Sequence, residues 1–348
     1  MFEERHIFKP FEYEEVDKYV DAINNTFWIH QEVAAELQLD VQDYHNKLSD
    51  LDRNIVSRIL RTFADTETAI LNDAWSIIGR YLKKPEFQIM GVTFAENEAR
   101  HAKAYFRINE ILDLTDFEPY TEDPILSGKF DNLLSHSLDI PNFDKDNIEH
   151  IKRFALGLAV FSCFTERVSL FSQFMILNSF SSNKRSLMKG LNNIIDWSIY
   201  DENIHSVAGI FLFNQIKKEY PEIWTNEFKS EIYTAASTVV DIETHVLNQI
   251  FEDGDLPNLQ EKDVVNYMKY RTNTSLEMIN LKPIFTIDDE AIKRTSWFEE
   301  GFTTLKQVDF LDSRSTDYTK SIIPFTGKTC QVSREDMGLF LKDSIKVN

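Results

Sequence analysis

Two cysteines stand in 348 residues, Cys163 and Cys330. They are too few and too far apart for a disulfide framework or a cysteine-held zinc site, and a reducing cytoplasm is the expected compartment. Glycine and proline are scarce at 10 and 9. Folds with many strands spend turn residues freely, so the shortage favours long helices. Basic residues are outnumbered, Lys+Arg 37 against Asp+Glu 57, for a net charge of -20. That surface repels phosphate backbones and anionic lipid, and neither nucleic acid nor a membrane is an expected partner. The longest apolar run, Phe154 to Phe164, has 11 residues, where a membrane-spanning helix needs about 20. It reads as a buried helix of a soluble protein. The acidic start, MFEERHIFKPFEYEE, has no basic flank followed by an apolar stretch, so no signal peptide is expected.

What is present is globular: 43% hydrophobic residues, with Phe 27 pointing to an aromatic-rich core. Such a composition excludes a wholly disordered chain. After a mixed but ordered lead-in over 1–45, the pattern turns helical. The expected helices cover 51–82 with an interruption near Asp65, 86–114 opened by Pro85, 146–180, a segment ending near Lys218, 225–252, 260–281 and 288–308. KKPEF (83–87), SSNK (181–184), Pro221 and DGDLP (253–257) punctuate them, and 115–145 reads as a linker. One helical domain over 1–311 and a flexible tail over 312–348 are the expected organisation.

A repeat lies in the chemistry rather than in the general sequence. Glu67 precedes Glu98 by 31 residues, and Glu98 opens Glu98-Ala-Arg-His101. Glu166 precedes Glu202 by 36 residues, and Glu202 opens Glu202-Asn-Ile-His205. On a helix, residues three apart share a face, so each ExxH can offer an oxygen and a nitrogen to one ion. In each half the chain descends one helix, turns and climbs back, returning the lone Glu to the height of the pair. Two such hairpins would converge four Glu and two His at the centre of a bundle, the dinuclear carboxylate arrangement. ExxH alone is a weak signal, and a third copy, Glu3/His6, sits near the terminus. The matched lone glutamates carry the argument. Glu166 carries it furthest, because a carboxylate after so apolar a run is costly unless paired or metal-bound.

Tyr105 lies four residues after His101, on the same helical face; spacing alone makes it a core tyrosine or a redox-active phenol. Other features are set aside. TGKT (326–329) resembles the end of a phosphate loop, but position 322 is Ile and no strand precedes it. Cys163 reads as a buried apolar thiol. His30, His45, His136, His150 and His245 lack ligand spacing.

FAENEARHAKAY (94–105), TERVSLFSQF (165–174), SIYDENIH (198–205), NNTFWIHQEV (24–33), SLEMINLKPIF (275–285) and WFEE (297–300) together make the chain resemble the small, radical-generating subunit of class I ribonucleotide reductases. The resemblance implies an all-α, ferritin-like bundle with a dinuclear metal site in its core. It implies Glu67, Glu98, His101, Glu166, Glu202 and His205 as ligands, Tyr105 at the tyrosyl-radical position, and Trp28 and Asp201 in a radical relay. A tail tyrosine, Tyr318 by position, would pass the radical on. The implied function is to activate oxygen or superoxide and store the oxidant that starts radical reduction of ribonucleotides to deoxyribonucleotides. That reduction takes place in a large subunit, bound through the C-terminal tail; the family usually forms homodimers. Glu67 stands where diiron members carry Asp, and the wording around the motifs is most similar to the dimanganese group called class Id. Leu71 stands where some of that group carry Lys. Manganese is therefore the expected metal, with iron or a mixed centre as the alternatives. Two other functions fit a dimetal bundle: a ligand-binding oxidase or N-oxygenase, and a ferritin-like storage ferroxidase. Neither has a use for the relay or the tail.

Overall fold

The computed structural model describes residues 1–114, 135–182 and 185–309, without the side chains of 64, 65, 67–73 and 302–309. Two units divide the chain, Met1–Phe302 and Thr303–Asn348. The second, with Tyr318, and most of the 115–145 linker lie largely outside the described residues.

No β-strand occurs among the described residues. The helices are α1 (Glu14–Asn25), α2 (Ala34–Asn46), α3 (Asp50–Asp73), α4 (Trp75–Tyr81), α5 (Pro85–Ile111), α6 (Ile148–Leu158), α7 (Leu170–Asn178), α8 (Lys189–Glu219), α9 (Asn226–Ile250), α10 (Glu261–Met278) and α11 (Asp289–Asp309). The lead-in is more regular than its composition suggests: α1, a 3-10 turn at His30–Val33 and α2 fill most of it. The break in the first long helix falls at Ala74, where the backbone leaves helical angles, rather than near Asp65. Pro85 occupies the first turn of α5, where a missing N–H is not needed.

The expected helix over 146–180 is present, but its middle is a π-helix, Ala159–Ser169, between α6 and α7. The wider winding shows in Leu170 N–H, which bonds back to Thr165 C=O five residues earlier. π-segments are rare and concentrate at functional sites. Ile148–Asn178 is long and apolar enough to cross a membrane, yet 89% of its apolar window is buried inside the protein. It is the central core helix.

Around it, α8 and α10 pack on the π segment, while α3 and α4 pack on α5. Between these layers lie Phe63, Phe94, Phe164, Phe171 and Phe174, none with exposed surface; full burial of each stabilises by about 1.5–3 kcal/mol. The start of α8 is fixed from outside. Met188 adopts a left-handed φ of 54°. Asp40 of α2 then accepts the N–H groups of Gly190 and Leu191 at 3.1 and 2.6 Å, capping the positive end of the helix. A Cβ at Gly190 would sit 2.6 Å from Leu37 N, so only glycine lets α2 approach this closely. This cap positions α8, which carries Asp201, Glu202 and His205.

Candidate metal centre

α5 presents Glu98 and His101, the π segment Glu166, and α8 Glu202 and His205; all five side chains have no exposed surface. Glu98, Glu166, Glu202 and His205 offer ligand atoms within 4.8 Å of one another. The oxygens divide between the imidazoles. Glu98 Oε1 lies 2.9 Å from His205 Nδ1 and its Oε2 lies 3.3 Å from His101 Nδ1. Glu202 does the same in reverse, with Oε1 3.0 Å from His101 Nδ1 and Oε2 3.6 Å from His205 Nδ1. Each of these carboxylates therefore spans two positions. Glu166 Oε1 joins only one, 3.6 Å from His205 Nδ1. Glu67 lies in the helical backbone of α3, and its side chain is outside the described residues.

These approaches are close without being hydrogen bonds. Both oxygens of Glu98 and Glu202, Glu166 Oε2, and Nδ1 of both histidines lack a hydrogen-bond partner among the described residues. Buried polar atoms are nearly always satisfied, so a cluster of this many lone pairs pointing inward marks a cation site. Three buried carboxylates beside two imidazoles form an oxygen–nitrogen donor set suited to manganese or iron. The electrostatics agree. Burial works against charge on the imidazoles, but Asp201, Glu202 and Glu98 around His101, and Glu98 and Glu202 around His205, hold both well above the usual histidine range. Burial, with Glu202 and Glu98 adding to it, pushes Glu166 well above the usual carboxylate range.

A second layer of contacts holds the donors. Asp201 Oδ2 lies 3.1 Å from His101 Nε2 and accepts Trp28 Nε1–H at 2.8 Å. The Trp28 ring stacks on His101, with centroids 5.4 Å apart and planes at 16°. Trp28, Asp201 and His101 thus form one connected group. Tyr105 lies in the core beside Phe63 and donates its phenol hydrogen to Ser198 Oγ at 2.7 Å.

Three further residues of this layer have no role assigned from the sequence. Trp75 donates Nε1–H to Glu166 Oε1 at 2.8 Å, leaving Oε2 as the free ligand oxygen; no spacing marks it, because it follows the break between α3 and α4. Ser198 was visible only as part of a motif. Asn97 had a signal. It lies 104 residues before Asp201, as Glu98 lies 104 before Glu202, so it is the counterpart of Asp201 in the repeat.

The family model described as ribonucleotide reductase, small chain, matches residues 5–291. A probable ribonucleoside-diphosphate reductase small subunit of Invertebrate iridescent virus 3 is 26% identical over 328 residues, covering 91% of this chain and 85% of that one. The ribonucleoside-diphosphate reductase subunit beta of Chlamydia pneumoniae is 27% identical over 309 residues, covering 87% and 86%. Among solved structures, the Streptococcus sanguinis dimanganese(II)-NrdF superimposes with a TM-score of 0.71 at 17% identity, covering 85% of this chain and 99% of that one. The last likeness shows the fold; the family model, matched over most of the bundle and across both ExxH helices, shows that this chain belongs to the ribonucleotide reductase small-chain family.

Proposed function

We propose that this small subunit holds two metal ions through Glu67, Glu98, His101, Glu166, Glu202 and His205, and keeps the oxidising equivalent that its large subunit uses. The observation that carries the reading is the division of oxygens: Glu98 and Glu202 each face both imidazoles, as carboxylates bridging two ions would. Glu166 would then complete the position at His205, and Glu67 is the sixth ligand that the resemblance implies. Bound there, the ions supply one-electron oxidation and oxygen activation, which the side chains alone cannot.

The chain's own residues do the rest. The aromatic core excludes water and stray reductants. Trp75 fixes which oxygen of Glu166 is free. Asp201 orients His101 and couples it to Trp28, as carboxylates behind metal-bound histidines do. Tyr105 is the candidate radical-bearing phenol, with Ser198 Oγ as its hydrogen-bond acceptor. Tyr318, in the 312–348 tail that docks the large subunit, is the candidate exit. A homodimer in the cytoplasm is the assembly; α5 offers it a face carrying Val92 and Phe106, 71% and 48% exposed. Manganese is the proposed metal, supported by Glu67 and by a fold neighbour described as dimanganese(II).

The test is ribonucleoside-diphosphate reduction by the metal-loaded chain with its large subunit. Deleting 312–348 should abolish that activity while leaving metal content intact. Oxidase or ferroxidase turnover that needs neither tail nor large subunit would instead favour the other dimetal functions.

A further inference from the structure

Building on the reading of Trp28 as a relay residue, we propose that Trp197 is the redox-active side chain that connects buried Trp28 to the protein surface. Trp28 is 1% exposed, so no donor in solution can touch it. One face of its indole stacks on His101. The Trp197 indole lies 5.3 Å away between centroids, with planes at 38°. Trp197 itself is half-buried and packed against the core, so part of it meets solvent.

Three other groups lie beside Trp28 or its backbone, and none is a good electron carrier. Arg100 donates Nη1–H to the Trp28 carbonyl and sits over the Phe27 ring, and Asp201 takes the indole N–H. Guanidinium, phenyl and carboxylate groups are all far harder to oxidise than an indole. The helix explains the pairing: Trp197 is four residues before Asp201 on α8, one turn away on the same face. One stretch of helix thereby supplies both the hydrogen-bond acceptor and the ring neighbour of Trp28.

The step is a single electron transfer between touching rings. Oxidised Trp28 gains one electron and is again a closed-shell indole with its N–H on Asp201. Trp197 loses that electron and becomes a radical cation, which the tail's Tyr318, the candidate exit, refills with one electron as its phenol proton leaves to solvent; a thiol of the large subunit then returns a hydrogen atom to that tyrosine in turnover. An oxidant at the surface drives the same contact backwards, drawing an electron from Trp197 and then from Trp28.

A tryptophan at this place also fills space, and a half-buried ring is worth keeping for packing alone. The experiment separates the two roles without metal or activity. The full-length metal-free chain is flashed with ruthenium(II) tris-bipyridine and a quencher in the presence of oxygen, and oxidation at each tryptophan is read by peptide mass spectrometry. Trp28 should be oxidised in the wild type despite its burial. In Trp197→Phe, which keeps an aromatic ring, oxidation of Trp28 should fall at least tenfold, with half-buried Trp224 and Trp297 unchanged as internal controls. Trp197→Tyr, with an oxidisable ring, should restore most of it. Unreduced oxidation of Trp28 in Trp197→Phe, no rescue by Trp197→Tyr, or no oxidation of Trp28 in the wild type would each overturn the proposal. Trp28→Phe assayed for nucleotide reduction tests the relay reading separately: normal turnover there would remove the relay, whatever the photochemistry gives.

Discussion

Asn97 and Asp201 occupy the same place in the two halves of the repeat, directly before the glutamate of each ExxH, and they meet: Asn97 Nδ2 donates to Asp201 Oδ2 at 2.9 Å. The symmetry of the donors is thus broken one layer out. The neutral amide serves the carboxylate, and that one oxygen also takes Trp28 and approaches His101. His205 Nε2, by contrast, has no hydrogen-bond partner among the described residues, so the carboxylate link to Trp28 belongs to the His101 side.

That asymmetry gives the first prediction. Asp201→Asn keeps the volume but removes the charge that orients His101, and Trp28→Phe removes the oxidisable ring. Each should lower nucleotide reduction by about 10–100-fold or more, with metal content within error of wild type. Tyr318→Phe should do the same from the tail. Metal analysis beside turnover checks all three; if Trp28→Phe turns over normally, the route is wrong.

The second prediction concerns the metals. The purified chain, loaded and desalted, should retain about two ions per chain. Glu166→Ala and His205→Ala should each greatly reduce that occupancy. Loading with manganese, iron or both, followed by activation and electron paramagnetic resonance, identifies the working metal. Manganese is expected to give the active form, whereas activity with iron alone and a tyrosyl signal would reverse the choice.

Much of this site was legible in the sequence because helical chemistry repeats with a fixed period. Glu-x-x-His specifies a shared face, and matched distances to Glu67 and Glu166 specify hairpins. The helix ends were legible where a stop residue is explicit, as at Pro85. The π segment was not, because its residues read equally well as a continuous α-helix. Trp75 was not, because its place beside Glu166 depends on a backbone break that no proline or glycine announces.

Asp40 supplies a prediction in pH. Burial outweighs the two backbone N–H groups it accepts, and its carboxyl is pushed up to about 6. An unfolded Asp titrates near ~3.9. A carboxyl raised on folding favours the folded state while protonated, below the unfolded value, and that contribution is lost as pH rises through about 6. Asp40→Asn retains an acceptor for the α8 N-terminus but does not titrate. Relative to wild type it should therefore be more stable at pH 7.5 than at pH 4.5, by about 1–3 kcal/mol across that interval. Urea denaturation of both proteins at the two values measures the difference; a constant offset would show that Asp40 carries no such shift.

Gly209 supplies the last. A Cβ there would sit 1.7 Å from Ser162 Oγ and 2.5 Å from Ser162 Cβ. Ser162 is in the π segment, four residues before Glu166, and Gly209 is four residues after His205 on α8. The glycine therefore lets the widened helix lie against α8 at the depth where Glu166 and His205 approach each other. Ser162 cannot yield cheaply, since one of its two clashing atoms is a buried Cβ fixed to the helix. Gly209→Ala should destabilise the fold by about 1–3 kcal/mol or more through overpacking, despite alanine's better helix propensity. By separating the two helices it should also weaken metal retention. Ser162→Gly in the same chain removes both clashing atoms and should recover metal retention and part of the stability, the remainder being lost to a glycine within a helix at roughly 0.5–1 kcal/mol. Thermal denaturation and metal content of the single and double variants check this. A Gly209→Ala protein with wild-type melting and two ions would mean that the contact is not what sets the distance between Glu166 and His205.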